Sequence, residues 1–140
     1  MPFVFIDHTA DMGVRITAGT LNHLFELAAE AFTAAICDLS EVGTVTTEEV
    51  SVTAPEVDLL LVDWLNELLW RFDARALLVR ASVVTLSRES DCWRLRGTLS
   101  GQRLDPGRHH IKTLIKGITY HRLSVAQTPD GWCALVVFDI

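Results

Sequence analysis

The stretch that decides the fold is residues 57–72, which read VDLLLVDWLNELLWRF. Its large apolar side chains recur at the spacing i, i+3, i+4, i+7, so they share one face of an α-helix. These side chains are Val57, Leu60, Leu61, Trp64, Leu65, Leu68, Leu69 and Phe72. Glu56 and Asp58 lie in or near the first turn, where the helix dipole favours negative charge. The pattern predicts a helix that packs into the core, with Trp70 outside the apolar stripe.

A second helix is predicted earlier in the chain. Thr20 is the expected N-cap, because its hydroxyl can accept a hydrogen bond from a free N–H of the first turn. One face of the helix is apolar: Leu21, Leu24, Phe25, Ala28, Phe32, Ala35 and Ile36. The polar residues fall elsewhere: Asn22, His23, Glu26, Glu30 and Thr33. This distribution is typical of a helix that packs against a core on one side.

The rest of the sequence reads mostly as β-strands, because apolar and polar residues alternate between turn signals. The expected strands are 2–7, 13–18 and 49–54, followed by hairpins of 79–88 with 92–99 and of 118–126 with 132–138. The segment GQRLDPGRHH (101–110) is predicted to be a loop. We therefore expect one domain over residues 1–140, with an α+β fold in which two amphipathic helices pack on a largely antiparallel sheet.

The composition is that of an ordinary globular protein, with 140 residues, 49% hydrophobic and 21% charged. A net charge of −6 argues against a general nucleic-acid binder, which is normally basic. No apolar run approaches a membrane span, and the first residues lack the features of a signal peptide, so we expect a cytoplasmic protein without membrane contact. The three widely spaced cysteines, Cys37, Cys92 and Cys133, fit buried or half-buried reduced thiols.

The basic residues are unevenly distributed along this acidic chain. Residues 103–122 contain a single acid, Asp105, together with five basic residues: Arg103, Arg108, Lys112, Lys116 and Arg122. The two lysines are the only ones in the sequence. The segment predicts a local cationic surface for a partner, although a merely solvated face would show the same composition.

No residue pattern marks an enzyme centre. The sequence lacks GxSxG, a Walker loop and His/Cys spacing suited to zinc. His8 and Asp11 lie three residues apart in the predicted turn HTAD, which could start a metal or acid–base site, although a plain turn is the favoured interpretation. His109 and His110 form a predicted loop pair, and because adjacent side chains usually point apart, a shared zinc is not expected. His121 belongs to a predicted strand, where a structural histidine is the default interpretation.

The remaining candidate ligands are oxygen atoms. Asp11, Asp139 and the carboxylate of Ile140 are hard donors, which suit Ca²⁺, Mg²⁺ or Mn²⁺ better than zinc. If the first and last strands are neighbours, these groups meet at one edge of the sheet. A divalent cation there would offset charges that otherwise repel each other.

Three stretches together resemble the archease family: FIDHTADMGVRITAGTLNHLFELAAEAF (5–32), IKGITYHRLSV (115–125) and VVFDI (136–140). The resemblance covers the whole chain in order and length. It implies a small α+β accessory protein, not itself an enzyme, that assists the GTP-dependent RNA ligase of tRNA splicing and RNA repair. It implies promotion of ligase guanylylation and repeated turnover, with RNA contacted only indirectly. It also implies a chaperone or modulator role toward tRNA-processing enzymes.

The resemblance also implies site residues. A divalent cation, typically Ca²⁺ in this family, would be bound by Asp11, Asp139 and Ile140. The lysine of the family's KxxTYH stretch matches Lys116, and we expect Lys116, Lys112 and His121 to contact the partner or its nucleotide. Where an acidic residue is expected before KxxTYH, this chain reads HHIKTLIK (109–116), so no function can rest on such an acid here.

Two other functions remain open from the sequence. A metal-dependent hydrolase would use the same carboxylates, with His8 or His121 as the base. A general chaperone would need a broad exposed apolar patch, whereas the apolar faces of both helices are expected to be buried in the core.

Overall fold

The computed structural model describes residues 2–7 and 11–140, with Asp7 described by its backbone alone. The helices are α1 (Leu21–Ile36) and α2 (Val57–Arg75), with a short 3₁₀ helix at Leu39–Glu41. The strands are β1 (Phe3–Asp7), β2 (Asp11–Ala18), β3 (Thr46–Ala54), β4 (Leu77–Arg88), β5 (Trp93–Arg103), β6 (Gly117–Thr128) and β7 (Gly131–Asp139). This order confirms the α+β fold predicted from the sequence.

The strands form two antiparallel sheets. A four-stranded sheet has the order β1-β2-β7-β6, and a three-stranded sheet has the order β3-β5-β4. Each helix contacts strands of both sheets. The hydrophobic core therefore joins the two helices to one face of each sheet. Within the described residues, no helix is long and apolar enough to cross a membrane.

The apolar stripe of α2 is confirmed as part of this core. Leu60, Leu61, Trp64, Leu65 and Leu68 are all at most 1% exposed. The indole N–H of Trp64 donates a hydrogen bond of 2.9 Å to the carbonyl of Phe25, which ties α2 to α1. Trp70, predicted to lie off the stripe, is 55% exposed.

Helix α1 begins as predicted, because the Thr20 hydroxyl accepts a hydrogen bond from His23 N–H at 3.2 Å. The polar residues of α1 do not simply face water, however. Three of them bond to the backbone of β4: Asn22 Oδ1 accepts from Leu86 N–H (2.9 Å), Glu26 Oε2 accepts from Val84 N–H (3.0 Å), and Thr33 Oγ1 donates to Val79 C=O (2.7 Å). Since β4 is an edge strand, these side chains satisfy backbone groups that would otherwise lack partners. Thr33 is only 1% exposed, so the prediction that it lies away from the core is wrong.

The predicted loop 101–110 begins later than expected, because β5 continues to Arg103. Gly101 is buried there, and a Cβ atom at this position would overlap the carbonyl oxygen of Leu78 on the neighbouring strand. The close approach of the two backbones therefore requires glycine, and the glycine that resembles a loop signal is a strand residue.

The loop after β5 is held by His109. Its Nδ1 accepts a hydrogen bond from Asp105 N–H (2.9 Å), and its Nε2 lies 2.9 Å from the carbonyl of Glu41, to which it donates in that tautomer. His109 is 4% exposed while His110 is exposed, as expected for side chains that point apart. The three cysteines are free, with Cys37 buried and the other two half-buried, as predicted.

We predict that Leu68→Ala lowers the free energy of unfolding by about 2–5 kcal/mol, because it leaves a cavity in the core. Urea denaturation followed by circular dichroism measures the change. The matched control is Leu114→Ala, since Leu114 is 59% exposed and surface changes usually stay within about 0.5 kcal/mol. Equal midpoints for the two variants would contradict the assignment of Leu68 to the core.

Candidate functional site

The two aspartates predicted as metal ligands are neighbours in the four-stranded sheet. Asp11, the first residue of β2, stands directly opposite Asp139, the last residue of β7. Directly opposed residues of antiparallel strands point to the same face, with Cβ atoms about 4.5–5.5 Å apart. Asp11 is half-buried and Asp139 is exposed. Two like charges are thus held close together, an arrangement that destabilises a sheet unless something offsets it.

Lys116 is joined to the same end of the sheet from the other side. Gly117, the first residue of β6, stands opposite Asp139. The backbone N–H of Lys116 donates a hydrogen bond of 2.7 Å to the carbonyl of Asp139, and its side chain is exposed. Ile140 follows at once, and its side chain packs against the core. The ends of β2, β7 and β6 thus gather two carboxylates and one ammonium-bearing residue, a set that we call the carboxylate end.

Strand β6 is interrupted shortly after this point by a bulge, Tyr120–Leu123. Regular pairing with β7 stops after Thr119 and resumes at Ser124, so the four bulge residues stand against the single residue Val136. Bulges of this kind redirect side chains away from the regular face of a sheet. The sequence had predicted an uninterrupted strand.

The bulge exposes its polar and aromatic side chains. Tyr120 is 63% exposed, and both His121 and Arg122 are exposed. Arg122 has φ = 57°, a left-handed conformation that is uncommon for a residue other than glycine. The interpretation of His121 as a structural histidine is wrong, because its ring makes no hydrogen bond to any part of the chain that the structure describes. Nothing in the sequence marks Arg122, since glycine is the usual signal for such a conformation.

Lys112 lies elsewhere. Its backbone N–H donates a hydrogen bond of 2.7 Å to the carbonyl of Ile36 at the C-terminal end of α1. Hydrogen bonds from Ser40, and then the nearby charge of Lys112, lower the pKa of Asp38 in the same region. Of the three predicted contact residues, Lys116 and His121 therefore belong to one end of the four-stranded sheet, and Lys112 is placed beside an acid at the end of α1.

The predicted cationic surface of 103–122 does not form one patch. Two of its arginines bond to carbonyl groups in separate places: Arg103 Nε to Arg75 (3.2 Å) and Arg108 Nε to Glu41 (2.8 Å). Only Lys116 and Arg122 lie on or next to the first half of β6. The segment crosses several elements of the fold, so its charges are distributed among them.

The donor atoms at the carboxylate end fit a hard cation, since Asp11, Asp139 and Ile140 offer oxygen ligands only. No three His, Cys, Asp or Glu side chains come together as a ready-made metal centre within residues 2–7 and 11–140. His8 lies outside the described residues. A metal here would depend on two carboxylates completed by main-chain oxygen atoms and water.

A separate pocket of about 410 Å³ lies at the opposite end of β2 and β7. It is lined by Thr17, Ala18, Thr128, Asp130 and Trp132. Ala18 is seven residues along β2 from Asp11, which corresponds to roughly 23 Å at the rise of a strand. This pocket is therefore distinct from the carboxylate end.

Comparison with known proteins identifies the family. The model of the Archease protein family (MTH1598/TM1083) matches residues 3–140. "Protein archease" of Methanosarcina acetivorans is 36% identical over 139 residues, which are 99% of this chain and 95% of that protein. "Protein archease" of Archaeoglobus fulgidus is 36% identical over 140 residues, with both chains fully covered. The solution structure of Methanobacterium thermoautotrophicum protein 1598 superposes with a TM-score of 0.84 at 29% identity, over 99% of each chain. The chain belongs to the archease family.

Proposed function

We propose that this protein is a cytoplasmic accessory factor that activates a GTP-dependent RNA ligase. It promotes guanylylation of the ligase and repeated turnover in tRNA splicing and RNA repair. Family membership supports the proposal at the coarse level. The observation that carries the finer assignment is the bond between Lys116 N–H and the carbonyl of Asp139, whose neighbour across the sheet is Asp11.

This arrangement suits contact with a partner that handles phosphates. The ammonium group of Lys116 is a compact, mobile charge that can meet a phosphate or carboxylate of the ligase. Tyr120, His121 and Arg122 project from the bulge farther along the same strand. Opposite charges across such a contact steer association and set specificity. The carboxylate end and the bulge together form the proposed docking surface.

We also propose that Asp11, Asp139 and an oxygen atom of Ile140 hold a divalent cation, with Ca²⁺ as the expected ion. The cation would supply positive charge that offsets two facing carboxylates. Because Lys116 N–H bonds to the carbonyl of Asp139, a cation that holds Asp139 in place would also hold Lys116 in place.

A metal-dependent hydrolase is the competing function, because the exposed ring of His121 lies on a strand that borders the same carboxylates. The two functions predict different results when the purified protein is incubated with GTP and RNA. An activator produces turnover only when the ligase is present. Turnover by the protein alone would favour the hydrolase and contradict the proposal.

We predict that Lys116→Glu slows formation of the ligase–guanylate intermediate by about tenfold or more relative to the wild-type protein, because like charges across an interface cost several kcal/mol. The rate is measured with labelled GTP at equal protein concentrations and constant salt. Lys112→Glu is the matched control, since it makes the same charge change in the same segment but beside α1. Full stimulation by Lys116→Glu would show that Lys116 is only a solvent-exposed residue without a partner contact. Equal defects in Lys116→Glu and Lys112→Glu would contradict the assignment of the partner contact to the carboxylate end.

We predict that Asp11→Asn and Asp139→Asn each abolish or strongly weaken calcium binding in isothermal titration calorimetry. Asp130 is an exposed aspartate at the opposite end of the sheet, so Asp130→Asn should bind calcium like the wild type.

Without calcium, Asp11→Asn and Asp139→Asn should be as stable as the wild type or more stable by up to about 1 kcal/mol, because each removes a repulsive pair. An extension after Ile140 should weaken the site if its carboxylate is a ligand. Wild-type affinity in both Asp11→Asn and Asp139→Asn would refute the site.

A further inference from the structure

A cluster of arginines lies at the C-terminal end of α2, against the three-stranded sheet. It borders a pocket of about 230 Å³ that is lined by Thr46, Glu48, Arg75, Leu77 and Arg103. Pockets that enclose a whole small molecule usually measure about 300–1,000 Å³. The volume therefore suits a single chemical group better than a complete nucleotide.

Two of the arginines are held by carboxylates. Glu48 Oε1 accepts hydrogen bonds from Arg71 Nε (3.0 Å) and from Arg75 Nη2 (2.7 Å). Arg71 is 7% exposed and also donates to the carbonyl and to the carboxylate of Glu67. Burial raises the pKa of Glu48, but the bonds from Arg75 and Arg71 together outweigh it and lower the pKa. Glu48 therefore remains ionised, and the charges of these two pairs largely cancel.

Arg103 is the group whose charge is not offset. Its Nε donates to the carbonyl of Arg75 at 3.2 Å, which fixes the guanidinium beside the end of α2. No ion pair joins it to a carboxylate in the part of the chain that the structure describes. Three guanidinium groups stand against the two carboxylates of Glu48 and Glu67, so these five groups together carry one excess positive charge.

Trp70 helps to hold this geometry. The Cζ atoms of Arg75 and Arg71 lie 5.3 and 5.8 Å from the centroid of its ring, within the range of cation–π attraction. An arginine held by an aromatic ring and a carboxylate has less side-chain freedom to lose when it binds a ligand. The cluster is thus ordered before any ligand arrives.

We propose that this pocket binds a phosphoryl group, with Arg103 and Arg75 as the donors. A guanidinium is a planar fork that matches phosphate oxygen atoms, and hydrogen bonds between charged groups are the strong class. The phosphoryl group can come from free phosphate or from the end of an oligonucleotide. The pocket lies on the other sheet from the carboxylate end, so the proposal does not depend on the function proposed above.

The test is titration of the protein with inorganic phosphate at constant ionic strength, followed by calorimetry and by tryptophan fluorescence. Trp70→Phe identifies the part of the fluorescence change that arises at the pocket. We expect saturable binding that Arg103→Gln weakens about tenfold or more, because it removes a charge-assisted donor. Arg96→Gln is the control, since Arg96 is an exposed arginine of the same strand and should leave binding unchanged.

A second variant covers the case in which Arg103→Gln unfolds the protein by exposing the end of α2. Thr46→Glu adds a carboxylate to the lining without removing the bond between Arg103 and Arg75, and it should also weaken phosphate binding. Competition by a 5′-phosphorylated oligonucleotide, but not by its unphosphorylated form, would identify a nucleic-acid end as the source. Binding of free phosphate alone would identify a small-anion site.

Three results would overturn the proposal. One is the absence of saturable phosphate binding. Another is wild-type affinity in both Arg103→Gln and Thr46→Glu, which would leave Arg103 as a cap for the last carbonyl groups of α2. The third is binding of a glutamate-rich peptide that Arg103→Gln abolishes and that phosphate does not displace, which would make the pocket a carboxylate site.

Discussion

The arrangement of the proposed docking surface depends on the pairing of β7, which is hydrogen-bonded to β2 on one side and to β6 on the other. The register is set by burial, because Val136 and Phe138 of β7 are fully buried and must face the core. A slip of one residue would turn Phe138 outward and bring the carboxylate of Asp139 to the core face. The same burial that stabilises the sheet therefore holds Asp139 between Asp11 and Gly117.

The edge strands of the two sheets have unpaired backbone N–H and C=O groups, and the fold protects β4 and β6 in different ways. In the three-stranded sheet, α1 covers the edge strand β4 with polar side chains. In the four-stranded sheet, β6 remains an edge strand but is broken by the bulge at Tyr120–Leu123. Bulges blunt an edge against unwanted strand pairing and leave side chains free for recognition. A solvent-facing bulge therefore serves both stability and the proposed contact with a partner.

Much of the fold could be predicted from local patterns. The stripe through Trp64 and Leu68 indicated a core helix because burial on one face selects residues at helical spacing. Thr33 could not be placed in this way, since a threonine at a polar position usually faces water, and only the neighbouring edge strand gives it a buried partner. The same limit applied to Arg122, whose left-handed backbone lies in the bulge where the pairing of β6 with β7 is interrupted, and which no local turn residue signals.

For the candidate site, the sequence by itself determined the chemical types, namely oxygen donors at Asp11 and Asp139 and an ammonium group at Lys116. The sequence also indicated the family that these residues resemble. Only the tertiary structure decided which of them meet. The pairing of Asp11 with Asp139 joins residues near opposite ends of the chain, and such a register arises from packing of both strands on one core. For the same reason, Lys112 and Lys116 are close in sequence but bond to different elements, because the segment that carries them is held at one point by α1 and at the other by β7.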